Sequence, residues 1–167
     1  MAKIRNVRAR RGAAAVEFAF MVPIMLIVSF AIMEYCRYLM LLNLANNACR
    51  NGARYASVNT ANGTPPPSGP GTVTTANIQA RVTADMCGQQ KALTGSGSFP
   101  PPLVYRANPA TGAPATDATG PNWYAASYGE PIAVQINGQY KPIFGGAINF
   151  AMPPTFTVTV MVNSEGN

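Results

Sequence analysis

The chain has 167 residues, 12 Lys and Arg against six Asp and Glu, and no histidine. The missing imidazole removes the commonest metal ligand and the commonest general base together. The formal charge of +6 is concentrated in one place: Lys3, Arg5, Arg8, Arg10 and Arg11 all precede Gly12, and beyond it seven basic residues face six acidic ones. The basic character therefore belongs to a leader, and no basic patch interleaved with aromatics marks a nucleic-acid surface. With 15 Pro and 15 Gly the chain is loop-rich, while 48% apolar residues are too many for a disordered one.

Residues 1–12 read as an unstructured basic arm on the cytoplasmic side. Residues 18–33 carry no charge, and the apolar run from Ala13 to Met33 has about the length, roughly 20 residues, that crosses a bilayer. Basic residues before the run and few just after it set the N-terminus in the cytoplasm. Pro23 lies inside the run and is tolerated in a membrane helix, with a mild kink expected one turn earlier. The run admits three readings. One is a cleaved secretory signal, with Ser29 and Ala31 as the small residues before the cut. Against it, the helical pattern continues through that point. The second is a plain uncleaved anchor. The third must account for Glu17.

A carboxylate at that depth costs roughly 2.5–3.5 kcal/mol on insertion scales and calls for a partner. A cut after Gly12 would leave the α-amine of Ala13 one helical turn from Glu17. The amine of one subunit then neutralises Glu17 of its neighbour as helices pack. The alternative is that Glu17 snorkels to the cytoplasmic interface.

From Tyr38 the pattern turns amphipathic without a break. Tyr38, Leu41, Leu42, Ala45, Ala48, Cys49, Gly52 and Tyr55 recur at three and four, one face of a helix that needs a cover. Ala48 and Gly52, small and four apart, allow a close approach. Glu34 and Arg37 are spaced to pair on the surface at the outer membrane boundary, beside Tyr35 and Tyr38.

Two stretches here resemble a known family. G-A-A-A-V-E-F, with Gly12, Glu17 and Phe18, resembles the processing site of the pilin-like proteins of tight-adherence (Tad, Flp) pili: glycine, cut, four residues, glutamate, aromatic. E-Y-C-R-Y-L-M-L-L-N-L-A-N-N-A-C-R-N-G-A-R-Y-A-S-V is similar to the TadE-like domain, whose helix ends in a G-A-R-Y-A-like sequence, here Gly52 to Ala56. The resemblance covers residues 10–58. It implies cleavage between Gly12 and Ala13 by a prepilin peptidase. It also implies a minor pilin, or pseudopilin, in the assembly of a type IV-like adhesion pilus. The chain would be the substrate of that peptidase and not an enzyme. Its partners would be the peptidase, other pilins and pseudopilins, the inner-membrane assembly platform and the lipid bilayer. No cofactor, metal or nucleic acid enters this picture. The protein would sit in the bacterial inner membrane with its C-terminal domain outside.

The rest of the chain reads as an outer domain over 59–167. Residues 59–71, with three consecutive prolines, must be a loop. A short helix follows from Thr75 or Asn77 to about Cys87, with Ile78, Val82 and Met86 as its apolar stripe and Gly88 as its stop. Leu103–Arg106 is a short strand candidate, and residues 108–122 form a polar loop. Alternation marks two better strands, Ile132–Ile136 and Phe156–Val162, and Asn137-Gly138 is a candidate hairpin turn. The expected fold class is α+β. A transmembrane segment (13–36) continues into an amphipathic helix (37–58), packed on an antiparallel sheet of three or four strands, the general pilin plan.

Cys36 reads as free. Cys49 and Cys87 both fall on apolar helix faces; they either form a disulfide in an oxidising compartment or are two small buried hydrophobes. Trp123, Tyr124 and Tyr128 offer a rival reading, a membrane-anchored module gripping a sugar or peptide. The same aromatics serve equally as core or loop anchors. A hydrolase finds no support: G-x-S-x-G, S-x-x-K and paired acidic motifs are all missing.

Overall fold

A computed structural model describes residues 7–60, 72–94, 98–116, 121–143 and 155–165, with side chains from residue 12 onward. Helix α1 (Val7–Val58) runs through the apolar and amphipathic halves and through Pro23 as one element. It begins before Gly12, so the part of the leader from Val7 is helical and not an unstructured arm. Alanine and arginine are among the stronger helix formers, and they fill the turns on either side of Gly12.

Helix α2 (Thr75–Asp85) opens at Thr74 with a capping box. The Asn77 N–H donates to Thr74 Oγ1 (3.4 Å), and the Thr74 N–H donates to Asn77 Oδ1 (3.2 Å). Cys87 (φ 49°) and Gly88 (φ 78°) then turn the chain out of the helix into a 3-10 turn, Gln89–Leu93. Strands β1 (Leu103–Arg106), β2 (Pro131–Gln139) and β3 (Thr155–Asn163) form one antiparallel sheet in the order β1-β2-β3. The α+β class is as expected.

The Asn137-Gly138 hairpin is not. Both residues lie inside β2, paired with Thr157 and Phe156 of β3. Gly138 serves a close approach instead: a Cβ there would lie 2.7 Å from the Leu93 carbonyl oxygen. The segment joining β2 to β3 lies mostly outside the described residues, as do residues 61–71 and 117–120 of the expected loops.

The core is where one face of α1 meets the sheet and α2. Leu41, Ala45, Ala48, Cys49, Ala53 and Ala56 of α1 are buried with Ile78, Val82 and Met86, and with Ile132, Val134, Ile136, Phe156 and Val158. The close approach at Gly52 is made by α2, since a Cβ would meet Val82 Cγ2 at 2.3 Å. Glycine there lets the two backbones come together.

Two sets of contacts fix how the domain stands on α1. At its far end the Glu165 N–H donates to the Ser57 carbonyl (3.1 Å), and the Ser164 N–H donates to the Glu130 carbonyl (2.8 Å) where β3 ends and β2 begins. At its near end Tyr140, just past β2, reaches Glu34. Strands β2 and β3 therefore run along α1, and their nine residues each, roughly 30 Å, match the run of helix from Glu34 to Ser57. Among the described residues the domain packs on this second half. Phe18, Phe20, Ile24, Met25, Ile27, Ile32 and Met33 on the first half are exposed.

Candidate functional site

The uncovered half of α1 is the candidate site. Gly12, Ala13, Glu17 and Phe18 are all helical and exposed, and beyond the local turns of the helix no described atom lies within 4 Å of a Cβ placed on Gly12. The Gly12–Ala13 bond is thus clear of the domain. Glu17 is the only carboxylate before Glu34, and it stands exposed on the apolar stretch of the helix. Of the leader residues, Arg8, Arg10 and Arg11 stand on the first turns of α1, while Lys3 and Arg5 lie outside the described residues. Ser29 donates its hydroxyl to the Met25 carbonyl (2.8 Å), which satisfies the lone hydroxyl of the apolar run within the helix.

From Gly12 onward α1 is long and apolar enough to cross a membrane, and none of its most apolar window is buried by the rest of the protein. A soluble core helix would be covered.

The model of the TadE-like protein family matches residues 12–54. Over these residues the helix is similar to that family. The match opens at Gly12 and closes at Arg54, so it takes in the bare apolar half and the amphipathic half of α1 and leaves out α2 and the sheet. No curated protein and no solved structure gives a match.

At the boundary between the two halves of the TadE-like helix, Glu34 departs from expectation. Its spacing to Arg37 suggested an exposed pair, yet Glu34 is 3% exposed. Its Oε1 accepts hydrogen bonds from the Tyr140 hydroxyl and from the Ile143 N–H (3.2 Å). Arg37 lies 3.5 Å from the same oxygen and donates to the Lys141 carbonyl (3.3 Å), with its guanidinium 5.7 Å from the centre of the Tyr140 ring. Tyr38 packs edge-on against Tyr140 and Phe156 at 5.3 and 6.1 Å. Burial and the neighbouring Glu34 carboxylate push the Tyr140 phenol up to about 12. These contacts pin the foot of the domain to the helix. Glu34 and Tyr140 are 106 residues apart, so no local pattern could reveal the pair.

The cysteines are all free. Cys49 is buried, with its Sγ 3.9 Å from the Val158 carbonyl. Burial pushes its thiol up to about 12, so it is inert as a nucleophile. Cys87 is exposed in the turn after α2. The structure does not bring the two together. The expected apolar-face position for Cys87 fails because α2 ends at Asp85 and the chain reverses hand at Cys87.

Trp123 is 2% exposed and donates its indole N–H to Thr75 Oγ1 (2.9 Å), with Tyr124 edge-on against it at 6.0 Å. Trp123 is thus an anchor of the core, and only Tyr128 stands out into solvent, 82% exposed. Among the described residues no group of three or more Cys, Asp or Glu side chains gathers into a metal-binding cluster.

Proposed function

We propose that this protein is a minor pilin, or pseudopilin, of a Tad-type pilus system, made as a precursor and cut between Gly12 and Ala13 by a prepilin peptidase. The observation that carries the reading is the bare TadE-like half of α1, beginning at an unobstructed Gly12 and holding Glu17. Cleavage frees an α-amine on Ala13, within one turn of Glu17 along the helix. An amine from a neighbouring subunit offsets the cost of holding a carboxylate in lipid, and that pairing sets the stagger between helices. In this reading residues 1–12 are the leader, 13–36 the span and 37–58 the stem that carries the outer domain. The N-terminus lies in the cytoplasm because the leader holds five basic residues. The protein's partners are the peptidase, other pilins and the assembly platform in the inner membrane.

The test is a Glu17→Ala variant made in its own host. It should still insert in the membrane, since removing a charge favours insertion, and pilus assembly should fail. Normal piliation with this variant would remove Glu17 from the assembly mechanism.

A further inference from the structure

Beyond this reading, though resting on its membrane anchor, we infer that the foot of the outer domain holds a binding site for the phosphate of an anionic lipid headgroup. An open cavity of about 290 Å³ lies at the foot, lined by Arg37, Lys91, Lys141, Gly88, Gln89 and Ile143, with two neighbours. Three of the seven basic residues beyond Gly12 converge here, and among the described residues no carboxylate lines the cavity. Lys91 and Lys141 are both exposed, while Arg37 is shared with the buried Glu34 below. The chain brings the lysines together through one backbone bond: the Lys141 N–H donates to the Ala92 carbonyl (2.8 Å).

The position of the cavity selects the source of the phosphate. Helix α2 packs antiparallel along α1, with Arg81 over the Tyr55 ring (5.0 Å) and Asp85 accepting from the Asn51 side chain (3.1 Å). The 3-10 turn that follows therefore descends further, toward Arg37. Arg37 stands about one turn past Met33, the last residue of the bare apolar run. A bilayer crossed by that run ends at the level of the cavity, where headgroup phosphates lie. Ile143, 64% exposed beside Lys141, faces the same level and suits the boundary of the acyl chains. A cation above and an apolar side chain beside it are the chemistry of an anionic phospholipid at an interface.

The test uses the full-length protein in detergent, with phosphatidylglycerol or phosphatidylcholine added and bound lipid counted by native mass spectrometry. Each lysine near an anionic surface contributes about fivefold in affinity, so Lys91→Gln with Lys141→Gln should weaken phosphatidylglycerol binding roughly 30-fold. Arg50→Gln with Arg54→Gln removes the same charge from exposed positions outside the cavity and should leave binding near wild type. Lys91→Arg with Lys141→Arg should restore it. The leader is present in every variant and cancels. Equal losses in both Gln pairs, or no loss in either, would overturn the site. So would inorganic phosphate competing as well as phosphatidylglycerol at equal concentration, because the source would then be a free anion. Alkaline extraction of membranes separates the two readings. A protein that resists extraction yet shows no phosphatidylglycerol preference loses the headgroup site and keeps its anchor; one that washes out loses both.

Discussion

Glu34 is the residue on which the stance of the outer domain depends most. Its carboxylate serves a phenol, a backbone N–H and a guanidinium. Removing it orphans buried donors, which costs more than the bonds themselves contribute. Glu34→Ala should lower the stability of the outer domain by about 2–3 kcal/mol, measured by urea unfolding of detergent-solubilised protein. Tyr140→Phe, which removes one donor and keeps the ring on Tyr38, should cost about 1 kcal/mol. Three titrating groups give the domain a pH signature, one of them Tyr105, whose phenol burial pushes up. Cys49 and Tyr140 hold their protons longer folded than unfolded, with folded values of about 12 against ordinary values of 9.0 and 10.0. Their stabilisation is intact below pH 9 and drains away as pH rises from there toward 12. An unfolding series from pH 7 to 11 should be flat at first and then fall. With Cys49→Ala the fall should begin about one pH unit later.

The elements themselves were largely legible from periodicity. The repeat of three and four from Tyr38 marked the buried face of α1, and alternation marked β2 and β3, because burying one face of an element leaves a periodic trace in the residues. What stayed hidden was tertiary. Gly138 carries the dipeptide signature of a turn, but the Leu93 carbonyl needs the space its side chain would fill, and β2 runs on through it. Cys87 follows an apolar stripe that ends one residue earlier, at Met86. Glu34 and Arg37 carry the spacing of a surface pair, and only the segment after β2 buries the carboxylate. The small residues of α1 mark a close approach, while the element that arrives there, α2, leaves no trace in the local pattern. Gly52→Ala should therefore cost about 1–3 kcal/mol by forcing α2 off α1, a loss measurable in the same unfolding experiment. A matching loss is not expected for Asn47→Ala, at an exposed position of the same helix.

As a whole the molecule is a single long helix with two unlike halves. The second half is the spine of a small α+β domain, stitched at Glu34 below and at Ser57 above. Among the described residues nothing buries the most apolar window of the first half, which carries the TadE-like match from Gly12 onward. An apolar helix of that length is stable in water only if something covers it, and lipid and neighbouring helices are the covers its composition fits. The proposed cleavage would remove the basic leader and free a new α-amine on Ala13 for Glu17 of a neighbouring subunit. The central claim is therefore the cut at Gly12, and the intact mass and N-terminal sequence of the protein recovered from membranes of its own host test it directly. The account predicts a mature chain beginning at Ala13 with the rest of α1 attached. A chain that retains the leader in a host with a working prepilin peptidase, or one that begins after Ala31, would contradict it.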